Sequence, residues 1–311
     1  MDLYNIKKDN LEPINRDPFK LEKDIQSLVE NNMDTLFGVE FVKSEFSLNE
    51  FRLDSLCFDH DTNSFVIVEY KRGSSYSVID QGYSYLSLML NNKSDFILEY
   101  NETKNKSIKR KDVDWSQSRI IFISTSFSTY QKNSVNFKDI PFELWEIKKF
   151  SNNLISFDQI SSNSNESIEK VSGDKNKIIK NVNKEVKVFN EDDLLEGKSD
   201  NTKELYQDIK ERVSQWDDVI FQPKKRYICI QKNKKIKIYV KLRKNDINLG
   251  FYGVMDFTGN VKKVKKKFVL DDPKNLFKLK KDKYREQYSH IMGNKDNFDY
   301  IMLMLKQKYD S

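Results

Sequence analysis

Asp54, Glu69, Lys71, Gln81 and Tyr85 have the types and spacing for chemistry on a phosphodiester. Breaking such a bond means driving a water onto an anionic phosphorus while an alkoxide leaves. A hard cation such as Mg2+ or Mn2+ neutralises that charge and lowers the pKa of the water, and it prefers oxygen ligands. Asp54 lies inside Arg52-Leu-Asp-Ser-Leu-Cys-Phe58, where Leu53 and Cys57 are expected on one strand face and the carboxylate on the other. Glu69 follows the apolar run Phe65-Val-Ile-Val68, and a carboxylate buried there is costly unless a metal or partner compensates it. Lys71 shares a face with Glu69, and hairpin pairing of the two strands would bring all three groups to one edge. The backbone carbonyl of Tyr70 between them is a natural further ligand. Gln81 and Tyr85, four apart on a helix, share a face and are placed to orient the phosphate backbone or Lys71. Glu22, on an earlier helix, is a candidate to complete the metal shell or hold a bound water.

Each signal is weak alone. Glu-x-Lys is a common surface pair, Gln-x-x-x-Tyr carries little by itself, and an acid such as Glu22 simply favours a helix N-terminus. The order carries the reading: an Asp on one strand, an apolar strand ending in Glu-x-Lys, then the helical Gln-x-x-x-Tyr.

These groups need elements to hold them. A polar lead-in of about fifteen residues precedes Leu21, Ile25, Leu28, Val29 and Met33, whose spacing predicts a helix ending near Asn31 and Asn32. Three strands are predicted at Phe41–Phe46, Phe51–Phe58 and Ser64–Tyr70, the last two joined by the hairpin turn Asp59-His-Asp-Thr-Asn63. A helix from about Val78 to Leu90 follows. Further strands are expected at Phe96–Tyr100, Ile120–Ser124 and Phe142–Ile147, with a Lys- and Asn-rich loop at 101–114. The sum is an α/β fold: a mixed sheet flanked by helices. Residues 151–189 look like a polar linker. Residues 190–311 form a small α+β unit, with a helix at Leu205, Ile209 and Val213, strands at Tyr227–Gln231 and Lys235–Leu242, and a closing helix at about Phe298–Tyr309.

Composition sets the bounds. A chain of 311 residues suggests two domains, and 38% hydrophobic residues suffice for their cores. Two cysteines, Cys57 and Cys229, each inside an apolar run, and two isolated histidines exclude a disulfide framework, a thiolate zinc site and a histidine triad. No apolar stretch reaches membrane-spanning length and no signal-peptide pattern opens the chain, so a cytoplasmic protein is expected. The net charge of +6 is unevenly spread. Residues 201–311 hold 27 Lys and Arg against 14 Asp and Glu, a net of +13, while the first 200 residues carry −7. A basic C-terminal unit is suited to polyanions, and Lys224, Lys225 and Arg226 beside Tyr227 suit phosphate contact plus base stacking.

At these residues the chain resembles the PD-(D/E)XK nuclease superfamily, and most closely its branches with a Q-x-x-x-Y motif, such as the RecB-type and NucS-like nucleases. The string Val66-Ile-Val-Glu-Tyr-Lys-Arg-Gly73 is similar to the "VIELKRG" block of NucS-like proteins, and Leu53-Asp54 stands where the superfamily usually has Pro-Asp. The resemblance covers about residues 18–150. It implies a restriction-endonuclease-like core over residues 1–150, with Asp54 and Glu69 on the metal and Lys71 on the water. It also matches Glu22 to a helix-borne acid and places Arg72 against nucleic acid. From about Asn190 the tail resembles a small uncharacterised module appended to restriction-type nucleases, through "LYQDIKERV" and "DYIMLMLKQKY".

The expected function is therefore a Mg2+- or Mn2+-dependent DNA nuclease, with host defence, restriction or DNA repair following only from the resemblance. Double-strand cleavage by one such site would favour a homodimer. A nuclease-fold protein that only binds nucleic acid, or a C-terminal unit serving protein–protein contact, are the rival expectations.

Overall fold

The computed structural model describes residues 2–71, 77–160, 164, 166–168, 177–233, 235–255, 261, 264, 267–281 and 285–311. The chain separates into two compact units, Met1–Val188 and Phe189–Ser311.

The first unit opens with a hairpin, β1 (Tyr4–Lys7) and β2 (Asn10–Pro13), where a polar lead-in was expected. Helices α1 (Glu22–Glu30) and α2 (Met33–Phe37) follow, and α2 ends on Gly38 in the left-handed region at φ 67°. A meander of β3 (Glu40–Leu48), β4 (Phe51–Asp59) and β5 (Ser64–Lys71) leads to α3 (Val78–Asn91) and α4 (Lys93–Lys104). Strand β6 (Arg119–Ser124), α5 (Thr129–Ser134), β7 (Phe142–Phe150) and β8 (Leu154–Ile160) complete a six-stranded sheet of order β3-β4-β5-β6-β7-β8, and α6 (Lys177–Glu185) closes the unit. The β3–β4–β5 pairs are antiparallel, β5–β6–β7 are parallel, and β8 returns antiparallel to β7.

Strand β5 shows why the sheet has a core on both faces. Phe65 and Ile67 pack with Val78, Leu86 and Met89 of α3, while Val66, Val68 and Tyr70 pack with Ile25 and Val29 of α1. A strand covered on both faces appears as a continuous apolar run, and the alternation puts Glu69 on the α3 side. Leu53 and Cys57 fall in opposite cores, so the single shared face expected for them is not formed.

Two expectations are corrected here. Residues 96–100 are helical, within α4, because Phe96 and Tyr100 stand four apart and both bury their rings against Phe65. The expected linker 151–189 is largely part of the first unit. Strand β8 pairs with β7 along its length, and α6 inserts Ile179 and Val182 into the α3-side core. Two apolar residues three apart among Lys, Asn and Glu suffice for a helix stripe, although the composition is that of a spacer.

The second unit contains α7 (Glu191–Leu195), α8 (Asp200–Val213), β9 (Val219–Pro223), β10 (Ile228–Lys232), β11 (Lys235–Leu242), β12 (Ile247–Met255), β13 (Lys278–Lys281), β14 (Arg285–Met292) and α9 (Phe298–Tyr309). Its antiparallel sheet has the order β13-β14-β12-β11-β10-β9. Leu205, Tyr206, Ile209 and Val213 of α8 and Ile301, Met304 and Leu305 of α9 form one core with Ile228, Ile230, Ile238, Val240, Leu249 and Phe251. The molecule is thus a mixed α/β sheet flanked by helices, joined to a separate α+β unit, as the sequence predicts. Cys57 and Cys229 are both buried and unbridged. Among the described residues no helix is long and apolar enough to cross a membrane.

Candidate active site

The site forms where β4 and β5 part. Their backbone pairing runs from Asp59↔Ser64 to Ser55↔Val68 and stops. Beyond it, side chains take over the ladder. The Tyr70 N–H donates to Asp54 Oδ2 at 2.9 Å, and the Asp54 N–H donates to Glu69 Oε1 at 3.0 Å. Each carboxylate thus satisfies the backbone of the other's strand, which keeps the two acids adjacent while the strands open. The N–H and C=O of a strand residue face the same edge, so the Tyr70 carbonyl opens on the side of Asp54.

Glu69 is the centre of the cluster, with only 1% of its surface exposed. Its Oε2 accepts from Lys71 Nζ at 3.1 Å and from Gln81 Nε2 at 3.1 Å. Gln81 Nε2 also lies 2.9 Å from the Tyr85 hydroxyl, which donates to the Arg52 carbonyl at 3.3 Å. Helix α3 carries both, and its start is fixed by Ser77, whose side chain accepts from the Asp80 N–H. Thus Asp54, Glu69, Lys71, Gln81 and Tyr85 come together, from residues on two strands and one helix.

On the other side of Asp54, helix α1 makes a contact that sequence reasoning missed. Gln26 Nε2 lies 3.0 Å from Glu30 Oε1 and 3.1 Å from each of Ser44 Oγ, Glu45 Oε1 and the Asp54 carbonyl. One amide carries two hydrogens, so this is a point crowded with acceptors. Ser55 Oγ donates to Glu30 Oε1 at 2.6 Å and shares a hydrogen bond with the Tyr70 hydroxyl at 3.1 Å. Glu45, in the register gap opposite Asp54, has φ 51°, a left-handed conformation rare for a residue with a β-carbon, and Arg52 binds its carboxylate at 2.8 Å. Glu22, Gln26, Glu30, Glu45, Arg52 and Asp54 line a cleft of about 560 Å³. The one available signal was the four-residue step from Glu22 to Gln26, which puts both on one helix face.

Burial and mutual repulsion set the protonation. Burial raises the Asp54 carboxyl, Glu45 adds to the rise, and the Tyr70 N–H and Lys71 oppose it. Burial first, then the Asp54 charge, lifts Glu69 to about 8 despite Lys71. Tyr85 is pushed up to about 12, mainly by burial and then by Glu69, so it stays a hydroxyl donor. Two adjacent carboxylates, Glu69 buried and Asp54 at the cleft, repel when both are ionised. Lys71 on Glu69 Oε2 is one cation against two, and a divalent cation would offset that repulsion. The donors offered are all oxygens: Asp54, Glu69 and the Tyr70 carbonyl. That set fits Mg2+ or Mn2+, which fill their remaining positions with waters and phosphate oxygens.

Glu22 is not brought to the pair. It begins α1 and lines the cleft, but among the described residues no group of three or more His, Cys, Asp or Glu is placed to hold a metal. Arg72 lies outside the described residues. Lys224, Lys225 and Arg226 form the turn between β9 and β10 of the second unit, closed by the Lys224 N–H on the Tyr227 carbonyl at 2.9 Å.

The chain belongs to the family of a Haemophilus influenzae protein described as an uncharacterized protein: the two are 41% identical over 315 residues, 99% of each chain. Residues 191–310 match the family described as domain of unknown function DUF5655. Among solved structures, an EndoMS–dsDNA complex is similar at 16% identity and TM-score 0.27, over 42% of this chain and 47% of that one. A repair endonuclease from Pyrococcus abyssi gives 14% identity and TM-score 0.21, over 42% and 59%. Pyrococcus furiosus SfsA in complex with Ca2+ gives 14% and 0.23, over 44% and 61%. The matched region thus spans about half to three-fifths of those solved chains.

Proposed function

We propose that this chain is a divalent-metal-dependent nuclease that hydrolyses DNA phosphodiesters at Asp54, Glu69 and Lys71. The observation that supports it most is the reciprocal pair: Asp54 on the Tyr70 N–H and Glu69 on the Asp54 N–H, with Lys71 and Gln81 both on Glu69 Oε2. Asp54, Glu69 and the Tyr70 carbonyl would hold Mg2+ or Mn2+. When bound, such an ion supplies neutralisation of the phosphate charge and a more acidic attacking water.

The chain's own groups do the rest. Glu69 would hold the ion in its ionised form, with Lys71 Nζ 3.1 Å from its Oε2. Lys71 would position the attacking water or, as a neutral amine, accept its proton. Gln81 fixes the Glu69 rotamer from the α3 side and Tyr85 fixes Gln81, a supporting shell of the kind that sets ligand geometry. Glu22, across the cleft, is placed to hold a water. Arg72 and the Lys224–Arg226 turn are proposed contacts to the DNA backbone, adding affinity without sequence information.

A cleavage panel tests this reading. Single-stranded, duplex, branched and modified DNA are incubated with the protein in Mg2+, in Mn2+ and in EDTA. Cleavage of at least one substrate with metal, and none in EDTA, is expected. Metal-independent binding without any cleavage would reject the enzyme and leave a binding protein on a nuclease-like scaffold.

A further inference from the structure

Among the described residues of the second unit, helices pack on one side of its sheet. Helices α8 and α9 pack on the face built from Ile228, Ile230, Ile238, Val240, Leu249 and Phe251. The intervening residues point the other way. Three of them, or their immediate flank, are tyrosines in a chain across β10, β11 and β12. Tyr227 and Tyr239 rings are 5.2 Å apart at 86°, and Tyr239 and Tyr252 are 5.2 Å apart at 68°. Arg285 of β14 extends the row: its guanidinium carbon lies 5.9 Å from the Tyr252 ring centre and its Nη1 3.3 Å from the Tyr252 hydroxyl. All three tyrosines are partly exposed, and Lys241 and Arg285 are exposed. In register, Gly250 lies directly across from Tyr239 and adds no side chain to the row, with Ser289 and then Lys278 beyond it.

Charge is uneven over the whole sheet, and part of it belongs to the helix side, where Lys232 Nζ reaches Asp310 and Lys237 Nζ a Ser311 main-chain oxygen. The six strands carry eight lysines and arginines against one acid, Glu286. That acid is already held by Lys267 at 3.1 Å and Lys281 at 3.6 Å. The other described acids of the unit lie on helices and turns, for example Asp299 with Arg212 and Asp208 with Lys295. The face therefore combines aromatic rings, amides and hydroxyls with Lys241, Lys278 and Arg285, and among the described strand residues the one acid is Glu286.

We propose that this open sheet face, centred on Tyr227, Tyr239 and Tyr252, is a binding platform for single-stranded nucleic acid. Unpaired bases offer their π-faces to the tyrosines, which a duplex keeps stacked inside, and the backbone follows Lys241, Arg285 and Lys278. The Lys224–Arg226 turn, immediately before Tyr227, continues the basic path at the sheet's end. An acidic protein partner is the rival occupant, and it is an outcome of the test below. The proposal goes beyond the nuclease reading and does not depend on it, because it concerns residues outside the first unit and binding without metal.

Fluorescence anisotropy of the full-length chain in EDTA tests it, with labelled oligothymidylate, oligouridylate of equal length and a matched duplex. Single strands should bind more tightly than duplex. Tyr239→Ala should weaken single-strand binding about 10-fold or more, and Tyr239→Phe should retain it, since stacking needs the ring and not the hydroxyl. Lys241→Gln with Arg285→Gln, both at the surface, should lower the slope of log affinity against log salt by about one to two. The two oligonucleotides differ in the sugar and in the base methyl, so both should lose affinity on Tyr239→Ala if stacking on the ring holds them. A preference for duplex, or single-strand affinity unchanged by Tyr239→Ala and by the paired charge substitutions, would overturn the proposal, the latter in favour of an acidic protein partner.

Discussion

Burial and the Asp54 charge favour a proton on Glu69 in the metal-free protein, and a cation at the proposed site would have to displace it. With burial and Asp54 lifting its carboxyl to about 8 from 4.5, metal binding competes with that proton. Affinity for Mn2+ should therefore rise with pH and level off above about 8, with proton release seen by calorimetry in buffers of different ionisation heat. The stability sign follows: the raised pKa stabilises the folded, protonated form, and this contribution is lost as pH climbs from about 4.5 through about 8. Asp54→Asn removes the repelling charge. Its metal-free melting temperature should exceed that of the parent above pH 8, while cleavage is abolished; thermal melts across pH check this. Gln81→Ala removes one of the two donors to Glu69 Oε2 and leaves Lys71, and metal affinity should fall by about 10- to 100-fold. Asp54, Glu69, Lys71, Gln81 and Tyr85 were legible from order and spacing because strand and helix periodicity place them on shared faces. Gln26 was not, since its partners Ser44, Glu45 and the Asp54 carbonyl come from distant sequence and no local pattern marks them.

At the scale of elements, the approach of α3 to the sheet decides where Gln81 sits. Gly82, its neighbour, faces the Phe142 ring so closely that a β-carbon would meet the ring at 2.5 Å. That ring is pinned by Tyr83 at 5.1 Å and Phe122 at 5.9 Å, so it has little room to yield. Gly82→Ala should cost about 1–3 kcal/mol in denaturant unfolding and shift α3, lowering cleavage as well as stability. Strands β4, β5 and β6 and helix α3 were readable because their apolar runs are long and their turns carry polar punctuation. Helix α4 was mistaken at Phe96–Tyr100, since five residues of mixed character do not separate a strand from one helical turn. Strands β12, β13 and β14 were not foreseen: β13 is Lys-Leu-Lys-Lys and β12 is interrupted by Gly250 and Gly253, so neither shows plain alternation.

For the whole molecule, two compact units imply two unfolding events. Calorimetry should resolve two transitions, and Mn2+ should raise only the one belonging to residues 1–188, by linkage of binding to folding. Asp54→Ala should abolish that shift and leave the other transition in place. The charge division between an acidic first 200 residues and a basic remainder was plain in the sequence, and it gives the molecule complementary parts. The first carries the acid pair of the proposed metal site, and the second carries the excess of lysine and arginine. The central claim is that Asp54 and Lys71 belong to a metal-dependent phosphodiesterase. Single-turnover cleavage in Mg2+ and Mn2+, comparing the parent chain with Asp54→Ala and Lys71→Ala of unchanged melting profile for the second unit, tests it most directly. The account predicts loss of cleavage by a factor of about 100 or more in both variants. Cleavage at the parent rate in both would contradict it.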